Sequence, residues 1–343
     1  MQKDKKEFPS ELRYNLVSQE WVVIAKGRSR RPDEFASKTK KPRDNLKQCP
    51  FEKFARTQEL TAAFFHAKET RLSQGKFIPV KWTTISLPNK YPAFTIGGSL
   101  ETRHAGPYKA MDGVGFHEVV VTRDHKRDIP DFEAWEVREL IDMYQERYLD
   151  LSNEKFVNYI AIFKNKGAGA GATVAHPHSQ IIATPILHPD IERSIKGSKD
   201  YWDANKKCVH CSMISWDTQD GQRIVYENDQ FIALCPFAST VSFEIRVYPK
   251  EHLAYFERAD EGQKAAFAEV LLVALQKIKK ALGDPDYNYF VHTAPADGKN
   301  YDHYHWHLEI LPKTSTWAGF ELGTGIRIST IEPEQASAFL REQ

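Results

Sequence analysis

Residues 165–180 bring together groups suited to chemistry at phosphorus. His176-Pro177-His178-Ser179-Gln180 follows directly on a glycine-rich run, Asn165-Lys166-Gly167-Ala168-Gly169-Ala170-Gly171-Ala172-Thr173. On a strand, side chains alternate with period two, so His176, His178 and Gln180 share one face. Glycines ahead of them let backbone N–H groups approach a phosphate closely. A histidine aimed at such a loop can be a nucleophile toward phosphorus, and a glutamine two residues on can steady the oxygens. The nucleophile must be a neutral imidazole, with one ring nitrogen free and the other tied by a hydrogen bond. The His-Pro-His geometry can supply that tie from the carbonyl of His176. The plainer reading is a strand of satisfied histidines beside a flexible loop. It suits an isolated HxH better than one joined to a glycine loop and a glutamine.

The cysteines and histidines recur at matched intervals. Each half reads Cys, His, then HxH: Cys49…His125…His176, and Cys208/Cys211…His252…His303, with 51 positions between the paired histidines. A C-x-x-C with two histidines suits tetrahedral zinc through sulfur and nitrogen. Cys208, Cys211 and His252 are therefore candidate ligands, completed by a histidine from 303–307. The interval nominates His303, and His305, on the same strand face, is its rival. His210 lies between the two cysteines and is expected to face solvent. The first half carries Cys49-Pro50-Phe51-Glu52, one cysteine and a carboxylate that is also able to ligate zinc. Both sites are expected to be structural, because protein atoms would fill all four positions. Cys235 has no partner in this scheme and reads as a core cysteine.

Elements must place these groups. Phe116–Val121 reads as a strand before His125, and Phe243–Tyr248 as its counterpart before His252. Residues 132–152 carry Trp135, Leu140, Tyr144, Tyr148 and Leu151 at helical spacing. Residues 261–282 do the same with Phe267, Val270, Leu271, Leu275, Ile278 and Leu282. Strands near 157–163 and 286–292 precede the two HxH segments. A strand–helix–strand–strand unit used twice predicts a duplicated α+β fold with mainly antiparallel sheets. The halves fall at 1–182 and 208–343. Residues 183–207, polar with Pro185, Pro189 and Gly197, read as a linker. The second half has Ala294-Pro295-Ala296-Asp297-Gly298 where the first has its glycine run, a poorer phosphate cradle. It therefore reads as metal-binding and architectural.

The block Phe163-x-Asn165-Lys166-Gly167-Ala168, Gly171-x-Thr173, His176-Pro177-His178-x-Gln180 resembles the active-site block of the galactose-1-phosphate uridylyltransferase family. That family is a branch of the histidine-triad superfamily that includes plant-type ADP-glucose phosphorylase. The likeness extends to Arg13-Tyr14-Asn15, Glu20-Trp21-Val22-Val23 and Arg28-x-x-Arg31-Pro32 at the start. It continues through Asn89-Lys90-Tyr91-Pro92-Ala93 to Gly319-Phe320-Glu321 and Gly323-Thr324-Gly325 near the end, spanning residues 11–341. The resemblance implies two tandem histidine-triad-like motifs. It implies that His178 attacks the α-phosphorus of a nucleotide sugar, forms a nucleotidyl-histidine and releases a hexose 1-phosphate, with Gln180 donating to the phosphoryl oxygens. It assigns Asn165, Lys166, Gly167, Gly171 and Thr173 to the phosphate-binding block. Zinc ligands map to Cys49, His125 and His176, with Glu52 where relatives commonly carry a second cysteine. The implied partners are a nucleotide sugar, a hexose 1-phosphate and a second copy of the chain. Arg28 and Arg31 suit diphosphate oxygens, here or across a dimer; the other reading is an exposed basic loop. Asn89 is assigned to nucleotide or ribose, and Phe320 and Glu321 to the sugar.

Composition is that of an ordinary soluble enzyme, and the expected location is the cytoplasm. The 343 residues suffice for two domains or a duplicated unit, and a net charge of +1 gives no case for nucleic-acid binding. No apolar run approaches the roughly 18 residues of a membrane span, and Met1–Glu7 lacks the apolar centre of a signal peptide. The leading expectation is a uridylyltransferase acting on galactose 1-phosphate. An enzyme of ADP-glucose, a nucleotide hydrolase and a zinc-stabilised nucleotide-binding protein are the alternatives.

Overall fold

The computed structural model describes residues 10–26, 35, 46–52, 62–65, 68–69 and 82–343. Its strands begin with β1 (Glu11–Tyr14), β2 (Trp21–Ile24), β3 (Ala62–Phe65), β4 (Lys68–Glu69) and β5 (Thr84–Pro88). A small hairpin, β6 (Arg103–Ala105) and β7 (Tyr108–Ala110), precedes β8 (Phe116–Thr122), α1 (Ala134–Ser152), β9 (Tyr159–Lys166) and β10 (His178–Thr184). Helices α2 (Pro189–Asn205) and α3 (Val209–Asp220) lead into β11 (Ile224–Glu227), β12 (Phe231–Leu234), β13 (Ile245–Pro249), α4 (Glu261–Leu282), β14 (Tyr287–His292) and β15 (His307–Pro312). The chain closes with α5 (Gly319–Thr324), β16 (Arg327–Ser329) and α6 (Pro333–Arg341). Among the described residues, no helix is long and apolar enough to cross a membrane.

Eleven strands form one antiparallel sheet in the order β11-β12-β13-β15-β14-β9-β10-β8-β5-β3-β4. The α+β class and the strand–helix–strand–strand unit both appear as expected: β8-α1-β9-β10 in the first half, β13-α4-β14-β15 in the second. The halves meet where β9 pairs with β14, Asn165 opposite Asn288 and Phe163 opposite Phe290. Residues paired across strands point to the same side, so the register defines one continuous face. His117 and Val119 lie on it from β8, His178 and Gln180 from β10, and Phe163 and Asn165 from β9. Asn288, Phe290, His292, His307, Glu309, Arg246 and Tyr248 continue it through β14, β15 and β13.

The opposite face is the core. Val137, Leu140, Ile141, Tyr144, Tyr148 and Leu151 recur every three or four residues on α1 and are buried with Ile160, Ile162 and Ile181 of the sheet. On α4, Phe267, Leu271, Leu275, Ile278 and Leu282 do the same against Phe231, Val247, Tyr289 and Trp306. The limits of α4 are written locally. Asp260 accepts the N–H of Gln263 at 2.8 Å while the Gln263 side chain accepts the N–H of Asp260 at 2.9 Å, and Gly283 takes the left-handed conformation at φ 68°.

The segment 183–207, read as a linker, is largely helical. Pro189 supplies a pre-set φ at the start of α2, and Ile191 and Ser198 are buried. Gly197 lets α2 lie against the N-terminal segment, where a Cβ would meet the Val17 carbonyl oxygen at 2.0 Å. β1 and β2 form a second sheet whose third strand, β16, runs parallel to β2. The first and last strands of the described residues thus lie in one sheet.

Candidate active site

His178 opens β10, and its ring is buried at 9 % exposure. Its Nδ1 lies 2.8 Å from the carbonyl oxygen of His176. A carbonyl only accepts, so Nδ1 carries the proton and Nε2 keeps its lone pair. The ring of Phe51 stands 5.3 Å away, beside a small apolar cluster of Trp82, Ile85, Leu87, Val119 and Val121. Desolvation by these walls pushes the pKa of His178 down to about 4, against the hydrogen bond to His176 and with help from the charge of Lys164. Behind the strand, the Lys164 ammonium donates to the His178 carbonyl at 3.3 Å and pairs with Asp128 at 3.0 Å. Ser179 joins a buried hydroxyl cluster with Tyr144 and Tyr289. The result is a neutral, fixed imidazole with one free nitrogen, the form a nucleophile toward phosphorus requires.

Two residues along the same face, Gln180 contacts His117, with 2.8 Å between Gln180 Oε1 and His117 Nε2. Asn89 lies beside them, its Nδ2 3.0 Å from the same ring nitrogen and its Oδ1 accepting the N–H of Tyr91 at 2.9 Å. Asn89 and His117 also line a cleft of about 440 Å³ with Pro92, Phe94 and Arg147. His117 was not singled out in the sequence. Its position on the face of Gln180 depends on the β8–β10 register, which no local motif encodes.

The glycine run is arranged differently from an open cradle. Gly167 has φ 81° and ψ 163°, a region open essentially to glycine alone, and Gly171 is left-handed at φ 87°. Asp286, from the second half, sits inside the loop and accepts the N–H of Gly169 at 2.7 Å. A Cβ on Gly167 would lie 1.8 Å from Asp286 Oδ1. These glycines therefore admit a carboxylate of the chain itself. Asn165 accepts from Asn288 at 2.7 Å, and the same Asn288 amide donates to Ala170 O at 2.9 Å. Lys166 points to the other side of the sheet, pairing with Asp284 and donating to the Pro285 carbonyl at 3.0 Å. Thr173 is exposed.

The second half repeats the geometry but not the access. His307 Nδ1 faces the carbonyl of His305 at 3.2 Å, as His178 does that of His176. The structural counterpart of His-Pro-His-Ser-Gln is thus His305-Trp306-His307-Leu308-Glu309. Glu309 stands where Gln180 does, and its carboxylate is occupied by Arg246 at 2.8 Å and His292 at 3.1 Å. Helix α3 places His210 over His307, ring centroids 5.0 Å apart. His210, expected in solvent, is completely buried, and desolvation pushes its pKa down to about 3. This packing leaves His307 only 4 % exposed.

Two clusters carry metal-binding character. Cys208, Cys211, His252 and His305 bring one ligand atom each to within 4.8 Å of one another. His305 Nε2 donates to the Pro249 carbonyl at 3.0 Å and His252 Nε2 to the Asp302 carbonyl at 2.7 Å, so both Nδ1 lone pairs face the sulfurs. Cys211 Sγ lies 3.3 Å from His252 Nδ1 and 3.5 Å from His305 Nδ1. His303 takes no part, its ring packing on Tyr301 instead. The histidine that joins the cysteines thus lies two residues beyond the one the 51-residue interval nominates. In the first half Cys49, His125 and His176 converge in the same way, and His176 Nε2 donates to the Thr122 carbonyl at 2.7 Å. The Glu52 carboxylate lies 3.4 Å from His125 Nδ1 and 3.6 Å from His176 Nδ1, and it also pairs with Arg123 at 3.3 Å. These donor sets fit a divalent, thiophilic ion: Cys₂His₂ in one half, Cys-His-His with an adjacent carboxylate in the other.

Phe320 and Glu321 lie on the short helix α5. Phe320 is half exposed, and the Glu321 carboxylate accepts the N–H of Ala318 at 3.1 Å. Among the described residues, no hydrogen bond or ring contact joins this helix to His178 or Gln180. Arg28 and Arg31 lie outside the described residues. Cys235 is fully buried in the main core.

Residues 1–188 match the family model for galactose-1-phosphate uridyl transferase, N-terminal domain, and residues 113–342 match a domain of unknown function. The chain is 32 % identical to ADP-glucose phosphorylase of Arabidopsis thaliana over 97 % of its own length and 92 % of the relative's. It is 31 % identical to galactose-1-phosphate uridylyltransferase of Thermotoga maritima, covering 97 % of this chain and 98 % of that one. Its fold superposes on the crystal structure of ADP-glucose phosphorylase from Arabidopsis thaliana with bound ADP-glucose, with a TM-score of 0.78 and 28 % identity, covering 98 % and 99 % of the two chains. With its sheet, its His178–Gln180 face and these full-length matches, the chain belongs to the galactose-1-phosphate uridylyltransferase family.

Proposed function

We propose that this protein is a nucleotidyltransferase that moves a nucleoside monophosphate between a nucleotide sugar and a hexose 1-phosphate through a covalent nucleotidyl-His178. The observation that carries the reading is the tautomer of His178, its Nδ1 bound 2.8 Å from a carbonyl and its Nε2 left bare. Nε2 forms the bond to the α-phosphorus as the bond to the sugar phosphate oxygen breaks, and the hexose 1-phosphate leaves. A second sugar phosphate then reverses the step, so one site serves both substrates. Gln180 donates to the α-phosphoryl oxygens as negative charge builds on them.

UDP-glucose and galactose 1-phosphate are the proposed substrates. ADP-glucose is the second reading, favoured by the Arabidopsis relative and its ADP-glucose complex. Zinc is the proposed metal, held by Cys208, Cys211, His252 and His305 in one half and by Cys49, His125, His176 and Glu52 in the other. Its proposed role is structural, fixing the strand that begins at His178. The reading also takes the enzyme to work in the cytoplasm as a homodimer.

Intact-protein mass measurement after mixing with UDP-glucose or ADP-glucose tests the reading. A uridylyl or adenylyl mass increment, absent in His178→Ala, is expected. Release of hexose 1-phosphate near the enzyme concentration, then arrest until an acceptor is added, should accompany it. No increment with either sugar nucleotide would overturn the covalent route, and an increment with ADP-glucose alone would replace uridine by adenosine.

A further inference from the structure

We infer that His117 is a positioning residue that sets the direction of the Gln180 amide, an inference that rests on the nucleotidyl-transfer reading above. One backbone hydrogen fixes the tautomer of His117. The N–H of Ala93 points at His117 Nδ1 from 3.0 Å. A backbone amide only donates, so Nδ1 is the acceptor and the neutral ring carries its proton on Nε2. Two side chains meet that Nε2: Asn89 Nδ2 at 3.0 Å and Gln180 Oε1 at 2.8 Å. The Asn89 amide cannot be the acceptor, because its oxygen is committed to the N–H of Tyr91 at 2.9 Å. The single proton on Nε2 therefore goes to Gln180 Oε1.

A primary amide has one acceptor end and one donor end, and their orientation is fixed by the surrounding network. With Oε1 held by His117, the Gln180 –NH₂ is presented away from β8 as a donor. Gln180 and His178 are alternate residues of one strand on one face, so that donor shares the side of the sheet on which phosphorus meets His178 Nε2. If Gln180 were reversed, its oxygen would face the reacting phosphoryl group and repel the charge it is asked to stabilise. Asn89 Nδ2, set against an N–H, is left with its hydrogens for a ligand in the adjoining cleft. The loop 89–93 is thus coupled to catalysis, since Ala93 selects the tautomer of His117 and His117 selects the orientation of Gln180.

Two substitutions separate the halves of this chain. His117→Asn keeps an acceptor near Nδ1 for Ala93 and loses the donor to Gln180. His117→Gln keeps an N–H near Nε2 and loses the acceptor. With the sugar nucleotide that labels the wild-type enzyme, His117→Asn should lower the maximal rate of nucleotidyl-enzyme formation by about tenfold or more, with half-saturation within about threefold of wild type. His117→Gln should recover most of that rate. In a Gln180→Ala background, His117→Asn should cost nothing further. In ¹⁵N-histidine-labelled wild-type protein, which needs no variant to fold, the His117 ring should show Nε2 protonated and Nδ1 bare. The inference is overturned by a protonated Nδ1, by His117→Asn labelling at the wild-type rate, by His117→Gln no faster than His117→Asn, or by losses that multiply in the Gln180→Ala background. Absence of any labelling in wild type would instead overturn the transferase reading.

Discussion

Gly167→Ala tests whether the glycine loop is shaped around Asp286. The residue sits at φ 81° and ψ 163°, and an L side chain there costs about 1–3 kcal/mol in backbone strain. Its Cβ would lie 1.8 Å from Asp286 Oδ1 and 2.2 Å from Cγ, so the carboxylate must leave. That forfeits the 2.7 Å bond from the N–H of Gly169, about 1.5–3 kcal/mol for a bond to a charged group. Together these cost about 2.5–6 kcal/mol. Unfolding entropy of roughly 2.1 cal/mol/K per residue scales to ~0.7 kcal/mol/K for 343 residues, so the melting temperature should fall by about 4–9 °C. The displaced loop leads into His176 and His178, and labelling of His178 should slow by about tenfold to a hundredfold. Thermal unfolding and intact-mass kinetics read the two effects. Asp286→Ala removes the obstructing carboxylate, so adding Gly167→Ala to it should cost less than in the wild type. Unchanged melting and labelling in Gly167→Ala, or strictly additive losses in the double variant, would show that the loop is not shaped around Asp286.

Cys211→Ser should lower zinc by one ion per chain and lower thermal stability with it, because structural zinc contributes directly to folding free energy; elemental analysis showing unchanged zinc removes this site. Glu52→Cys should slow metal loss to a chelator at the first site by about tenfold or more, thiolate being the softer donor, and an unchanged rate would remove Glu52 as a ligand. Burial holds His178 neutral down to about 4. The labelling rate should therefore stay level as pH falls through 6.5, the ordinary histidine value, and drop only near 4. The unfolded chain takes up this proton near 6.5, so the stability tied to His178 is lost as pH falls from 6.5 toward 4. An acid limb in labelling centred near 6.5 in a protein still folded there would contradict the desolvated pocket.

The duplicated unit was legible because it is written in local patterns. The α4 span 261–282 follows from apolar spacing, an Asp260–Gln263 cap and a terminating Gly283. The tautomer of His178 was legible as well, because a carbonyl two residues back is a local partner. The halves do not match residue by residue: α4 is three residues longer than α1, and the stretch from helix end to HxH is one residue shorter, a net shift of two. Equal intervals therefore pointed to His303, and the ring that converges with Cys208 and Cys211 is that of His305. The carboxylate inside the glycine loop could not be read from the loop, because Asp286 arrives from the other half across the β9–β14 seam. His117 is hidden for the same reason, its partner Gln180 being a neighbour only through cross-strand register. The burial of His210 follows from the start of α3 setting its ring against Tyr248 and His307, a tertiary event with no signature between two cysteines.

The seam between β9 and β14 also sets a hazard during synthesis. Until Tyr287–His292 has been made, β9 is an outermost strand, paired with β10 on one edge and with its other edge of backbone donors and acceptors open. Its first residues, Tyr159-Ile160-Ala161-Ile162-Phe163, are uncharged and strongly strand-forming, the composition of an aggregation-prone segment. Lys164 and Lys166 follow at once, in the place where natural sequences set charged gatekeepers. A nascent or truncated chain ending before β14 would offer this edge to its neighbours on the polysome. Supplied separately, the second half would find the same edge and could zip onto it, rebuilding the enzyme from two pieces along a line drawn by backbone hydrogen bonds.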